Sequence, residues 1–120
     1  MSRIHHELLA WQHAMKFVKD IYEVTSTFPR CELYGLTNQM RRAAVSVPSN
    51  IAEGAGRASF KEFGQFLTIA RGSLCELETQ VVLSKDLGYI AEIDDLLSKM
   101  EKLFALLGGL INSIGKRNQQ

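Results

Sequence analysis

The chain has 120 residues, 46% hydrophobic and 22% charged, and its 14 Lys and Arg against 13 Asp and Glu leave a net charge of +1. That length suits one domain able to bury roughly two thirds of its unfolded surface, and the composition excludes a disordered chain. Near-neutral charge excludes a nucleic-acid module working by bulk charge, so any phosphate contact needs a local patch.

The start, MSRIHHELLAWQ, has no apolar signal core, and the longest uncharged apolar run, Leu103 to Gly115, is too short to span a bilayer. Cys31 and Cys75 lie far apart without a CxxC partner, which suits reduced, packed thiols rather than a metal site or a disulfide framework. A cytoplasmic protein is expected, neither secreted nor membrane-embedded.

The first predicted helix covers about residues 7–27, where Leu8, Trp11, Met15, Val18 and Tyr22 recur at helical steps beside a second stripe of Phe17, Ile21, Val24 and Phe28. Phe28-Pro29-Arg30 ends it. A second helix over about 33–55 carries Leu36, Met40, Ala43, Ala44, Val47 and Ile51, and the spacing runs straight through Pro48. A kinked but continuous helix is expected there, the alternative being a break at Val47-Pro48 with Ser49 or Asn50 capping a new short helix. Gly54-Ala55-Gly56 closes the segment, glycine being the residue that accepts a left-handed cap.

Ser59-Phe60-Lys61-Glu62 has the S-x-x-E form of a capping box and opens a third helix over about 59–87, with Phe63, Leu67, Ala70, Leu74, Leu77 and Val81 as its core row. Gly88 and Tyr89 interrupt it. A fourth helix over about 92–116 places Ile93, Leu97, Met100, Leu103 or Phe104, Leu107, Ile111 and Ile114 on one face. No alternation of β type occurs. The expected fold is therefore all-α, one antiparallel up-down-up-down four-helix bundle over 1–120 with helix two kinked at Pro48.

Helix two is poor in bulky side chains, with Ala43, Ala44, Ser46, Ser49, Ala52 and Gly54, and helix three answers with Ala70, Gly72 and Ser73. A close approach of these two helices is expected, with Ser46 opposite Ile69 and Arg42 opposite Ser73. Gly108 and Gly109 suggest a second close contact, inside the protomer or between subunits. The polar row Gln39, Arg42, Ser46, Asn50, Glu53 and Arg57 then needs its own explanation, because it forms a continuous stripe along helix two. Arginine suits planar contacts to carboxylate or phosphate. Three readings remain open: an arginine–glutamate network inside the bundle through Glu76 or Glu78, a polar subunit interface, or a phosphate-binding strip.

No arrangement for catalysis stands out. His5, His6 and His13 lack the carboxylate or cysteine that would complete a metal-ligand set. No G-x-S-x-G elbow occurs, and GAGRASF lacks the GK[ST] ending of a phosphate-cradling loop. A non-enzyme with no catalytic residues, no metal and no cofactor is expected.

The strings LYGLTNQMRRAAVSVPSNIAEGAGR and EFGQFLTIARGSLCELETQ, with the LGYI turn, resemble the 23S ribosomal RNA intervening-sequence proteins. The likeness reaches back through IYEVTSTFPRCE to AWQHAM and covers about residues 8–115, with Met40 and Val47 standing where isoleucines are expected. It implies a small non-enzymatic bacterial bundle, encoded in ribosomal RNA gene insertions or elsewhere, that assembles as a ring-like homopentamer. A similar fold serves as the accessory protein of diversity-generating retroelements, where the pentamer engages a reverse transcriptase and nucleic acid. By matching position, the family signature falls on Arg41, Arg42, Asn50, Glu53, Gly54, Arg57, Gly72, Ser73, Glu76 and Glu78.

A ring would multiply a weak patch, so RNA or another nucleic acid is one candidate partner, contacted by Arg41, Arg42, Arg57, Lys61 and Arg71. Only Phe60 interleaves with these cations, so backbone or shape binding is expected rather than base stacking. The remaining signature residues, Gln39, Ser46, Asn50, Glu53, Ser73, Glu76 and Glu78, form the candidate polar network or interface. The alternative is a scaffold or accessory subunit that docks on another protein.

Overall fold

The computed structural model describes His5 and residues 8–119. Among these residues the elements are four helices, α1 (Leu9–Thr25), α2 (Leu36–Ala55), α3 (Phe60–Asp86) and α4 (Asp94–Asn118), with a short 3-10 turn at Arg30–Glu32 and no strand. The molecule is a rod of 50 × 25 × 22 Å, as expected of helices near 40 Å long laid side by side.

The core is the stripe that each helix turns inward. From α1 it takes Ala10, Ala14, Phe17, Ile21 and Thr25, and from α2 Met40, Ala43, Ala44, Val47 and Ile51. The second α1 stripe thus supplies Phe17 and Ile21, whereas Met15 and Tyr22 of the first stripe are exposed. Leu67, Ala70, Leu74, Leu77 and Val81 of α3 are all fully buried, as their spacing predicts. In α4 the row begins with Ile93 and Leu96, Leu97 being only partly covered. Packing joins α1 to α2, α2 to α3, α3 to α4, and α4 back to α1.

The second helix begins at Leu36, where its apolar row starts, and not at residue 33 as expected. Residues 30–32 make a 3-10 turn, and Glu32 reaches forward so that its Oε1 accepts the Leu36 N–H at 3.1 Å. Its other oxygen accepts from the Tyr89 hydroxyl at 2.8 Å, which ties this turn to the α3–α4 connection. Once started, α2 runs unbroken from Leu36 to Ala55 with Pro48 inside it. Pro48 is buried, and its missing N–H removes one rung of the helix ladder.

The two helix ends flanking α3 differ in kind. Gly56 closes α2 at φ −84°, a right-handed conformation open to other residues, so the left-handed cap expected there does not form. It forms instead at Gly88, φ +80°, where Tyr89 N–H donates to Ser84 O and Gly88 N–H to Lys85 O, both at 2.9 Å. That paired pattern satisfies carbonyls at the end of α3, and glycine is needed for it. At the other end, Ser59 Oγ accepts the Glu62 N–H at 3.1 Å, the serine half of the capping box.

Candidate nucleic-acid interface

The small residues of α2 do bring it close to α3. A Cβ at Gly54 would stand 2.7 Å from Phe66 Cβ and 3.0 Å from Phe63 Cδ1, so only hydrogen fits at that position. Farther along, Ser46 Oγ and Ser73 Oγ lie 2.8 Å apart, and Met40 Sδ lies 3.4 Å from Ser84 Oγ. Ser46 therefore faces Ser73 rather than Ile69, one helical turn from the expected register. The connection at residues 56–59 moves the point about which the helices fold back. Gly72 takes no part in the approach: it is exposed and a Cβ there would meet nothing within 4 Å. A Cβ at Gly108 or Gly109 would likewise meet nothing within 4 Å inside the protomer.

The polar stripe divides into a knotted centre and exposed ends. Asn50 Nδ2 donates to Ser46 O at 2.8 Å and to Ser46 Oγ at 2.9 Å, so Ser46, Asn50 and Ser73 make one half-buried cluster along the α2–α3 seam. Gln39, Arg42 and Glu53 are exposed. Glu76 and Glu78 are exposed as well, and among the described residues neither forms an ion pair with an arginine. Glu76 Oε1 instead accepts from Gln80 Nε2 at 3.3 Å, while the buried Gln80 Oε1 has no partner among the described residues. An arginine–glutamate network inside the bundle is thus not formed. Solvent can screen these charges where they sit, which removes the need to pair them.

The five candidate phosphate contacts fare differently. Arg41 is spoken for: its Nε donates to Thr25 Oγ1 at 2.9 Å, its Nη2 donates to Tyr22 O at 3.3 Å, and its guanidinium lies 4.6 Å over the Tyr22 ring. It clamps α2 to α1. Arg57 is exposed, 3.5 Å from Glu53 Oε1 and 4.8 Å over the Phe66 ring. Arg42, Lys61 and Arg71 are exposed and carry no ion pair or ring contact among the described residues.

These cations do not converge on one point. Arg42 and Arg57 are separated along the α2 axis by about 20 Å at 1.5 Å per residue. Arg71 follows Gly64 by two turns, and Gly64 faces Ile114 of α4, so Arg71 lies on the flank of α3 away from the serine cluster. Such spacing cannot hold a single phosphate. It suits successive phosphates of an extended polyanion.

Three features had no signal in the sequence. The Glu32–Tyr89 hydrogen bond and the Lys99 pairing with Asp20 Oδ2 at 3.1 Å each join distant positions. Lys99 also meets Asp95 at 3.1 Å, and hydrogen bonds to Asp95 and Asp20 hold its ammonium above the usual lysine range. The third is Arg117, which lies 5.8 Å over the Phe60 ring at the α2–α3 end of the rod.

No group of three or more His, Cys, Asp and Glu side chains is placed to hold a metal ion among the described residues, and His6 lies outside them. Nor is any described helix long and apolar enough to cross a membrane. Cys31 and Cys75 are free and exposed, not packed inside as their type suggests.

A family model described as 23S rRNA-intervening sequence protein matches residues 6–109. The chain belongs to this family. The match spans all of α1 to α3 and most of α4, so the serine cluster and all five candidate cations fall inside it. A search of curated proteins finds no match to this intervening-sequence family member.

Proposed function

We propose that this intervening-sequence family member is a non-enzymatic, cytoplasmic homo-oligomer, a ring of five copies, that binds RNA through the phosphate backbone. In this reading each copy is a single domain whose helices alternate in direction, with α2 bent at Pro48. Contacts along α2 and α3 support the alternation, since Gly54, Ser46 and Met40 meet Phe66, Ser73 and Ser84 in opposite chain order.

The observation that carries the binding reading is the set of exposed cations Arg42, Lys61 and Arg71, which form no ion pair among the described residues, with Arg57 held loosely by an exposed partner. One copy at net charge +1 would hold RNA feebly. Five copies presenting the same cations gain by effective concentration without any new contact. Arg41 contributes structure instead of affinity.

Exposed apolar side chains supply a motive for assembly. Met15, Tyr22 and Val45 are exposed along the α1–α2 side, and Ile69, Val82, Leu83 and Leu87 along α3. In this reading they join across subunits into apolar surfaces that another copy covers. The same patches favour the second reading, a scaffold docking on another protein without touching nucleic acid.

Light scattering combined with filter binding separates the two. The proposal expects a mass of about five times the 13.5 kDa subunit and retention of single-stranded RNA at low salt that is lost in the Arg42→Ala, Lys61→Ala, Arg71→Ala variant. A monomer that retains no RNA leaves only the scaffold.

A further inference from the structure

At the α2–α3 end of the rod, the start of α1, the α2–α3 connection and the last turns of α4 line a cleft of ≈ 570 Å³. Sites for small molecules run to about 300–1,000 Å³, so the space is of useful size.

The chemistry of the walls is lopsided. Leu8, Phe60, Phe63, Leu110 and Ile114 make an apolar interior, while two arginines, Arg57 and Arg117, line the same cleft and no described carboxylate side chain does. Each guanidinium rests on an aromatic ring, Arg57 on Phe66 at 4.8 Å and Arg117 on Phe60 at 5.8 Å. Stacking fixes the planar faces and leaves the N–H edges available to an oxyanion. Arg117 has no ion-pair partner among the described residues, and Arg57 has only the exposed Glu53 at 3.5 Å. The Ser59 hydroxyl accepts the Glu62 N–H and keeps its own proton to donate. The positive charge for anion recognition comes from the two arginines.

We propose that this cleft binds a small amphipathic carboxylate, with Arg57 and Arg117 holding the charged head and Phe63, Leu110 and Ile114 receiving an acyl chain. A neutral molecule of the same shape would leave both guanidiniums without a partner. A hydrophilic anion would leave the apolar walls wet. A second groove of ≈ 600 Å³ shares Phe60, Ile114 and Asn118 with the cleft, which gives a longer chain room to continue across the Phe60 ring. The site is separate from the RNA contacts in one respect that matters for testing: Arg117 belongs to it alone.

Titration calorimetry on the full chain with dodecanoate and with dodecanol, below micelle-forming concentrations, tests this. Dodecanoate is expected to saturate at one per chain and to bind at least about tenfold more tightly than the alcohol, the charge-assisted contacts being the difference. Arg117→Ala, and the Arg57→Ala, Arg117→Ala pair more so, should weaken dodecanoate by about tenfold or more while leaving the alcohol unchanged. Ser113→Trp, which fills the cleft from an exposed position, should abolish both, and Arg42→Ala should alter neither. Circular dichroism checks that each variant keeps its helices. Equal affinity for acid and alcohol, no saturable heat with dodecanoate, or unchanged binding in the double-arginine variant overturns the assignment.

Discussion

Gly54 of α2 lies against Phe66 of α3 so closely that a methyl group in place of its hydrogen would stand 2.7 Å from the Phe66 Cβ. Phe66 Cβ is fixed to the α3 backbone and the Phe63 carbonyl oxygen stands 3.3 Å away, so neither neighbour can give way cheaply. Alanine ordinarily favours a helix over glycine by about 1 kcal/mol. Here the clash should dominate, and Gly54→Ala is expected to lose about 1–3 kcal/mol in urea unfolding.

Gly72 supplies the opposite case on the facing helix. It sits in the interior of α3 with open space around its Cβ position. Gly72→Ala should therefore gain about 0.5–1 kcal/mol by the same measurement. A loss at Gly72 would mean that something outside the protomer packs on that face.

Adjacent arginines are expected to behave as opposites. Arg41→Ala removes the hydrogen bond to Thr25 and the contact over the Tyr22 ring, and should cost about 1–2 kcal/mol of stability with RNA affinity per folded molecule unchanged. Arg42→Ala removes an exposed side chain with no described partner and should leave stability within about 0.5 kcal/mol while weakening RNA binding. Paired thermal melts and filter binding on the two variants check both halves.

The Tyr89–Glu32 hydrogen bond carries a pH dependence. That bond, with smaller help from burial and from the Glu32 charge, raises the Tyr89 phenol above its usual value of 10.0. A folded-state value above the unfolded one means that the contribution is complete below pH 10 and disappears as pH rises through the shifted value. Tyr89→Phe keeps the ring beside Phe28 but loses the bond, so its Tm should fall by on the order of 4 °C at neutral pH. The gap to the parent protein should narrow as pH climbs above 10, read by thermal melts across an alkaline series.

Much of this architecture is legible from residue order because it rests on local rules. The α3 core row from Leu67 to Val81, the Ser59 cap and the passage of α2 through Pro48 all follow from spacing and from neighbours a few residues away. Contacts between distant positions escape that reading. Spacing gives α1 a wide apolar face of two adjoining stripes, and packing against α2 and α4 buries Phe17 and Ile21 while Met15 and Tyr22 stay exposed. Glycine was ambiguous for the same reason: Gly54 is a close approach, Gly88 a left-handed turn, and Gly72 neither. Within the candidate site, the stripe on α2 could be traced by its spacing. That Arg41 turns to α1 while Arg42 stays free depends on a Thr25 hydroxyl sixteen positions away.

The salt dependence of RNA affinity tests the central claim most directly. A single copy offers the free cations Arg42, Lys61 and Arg71, enough for a log–log slope of about −2 on single-stranded RNA at roughly 0.7 per phosphate neutralised. A ring presenting several copies to one strand should give a slope clearly steeper than that, and the Arg42→Ala, Lys61→Ala, Arg71→Ala variant should flatten it. Affinity that does not change with salt, or a slope that the triple variant leaves untouched, would contradict binding through these side chains.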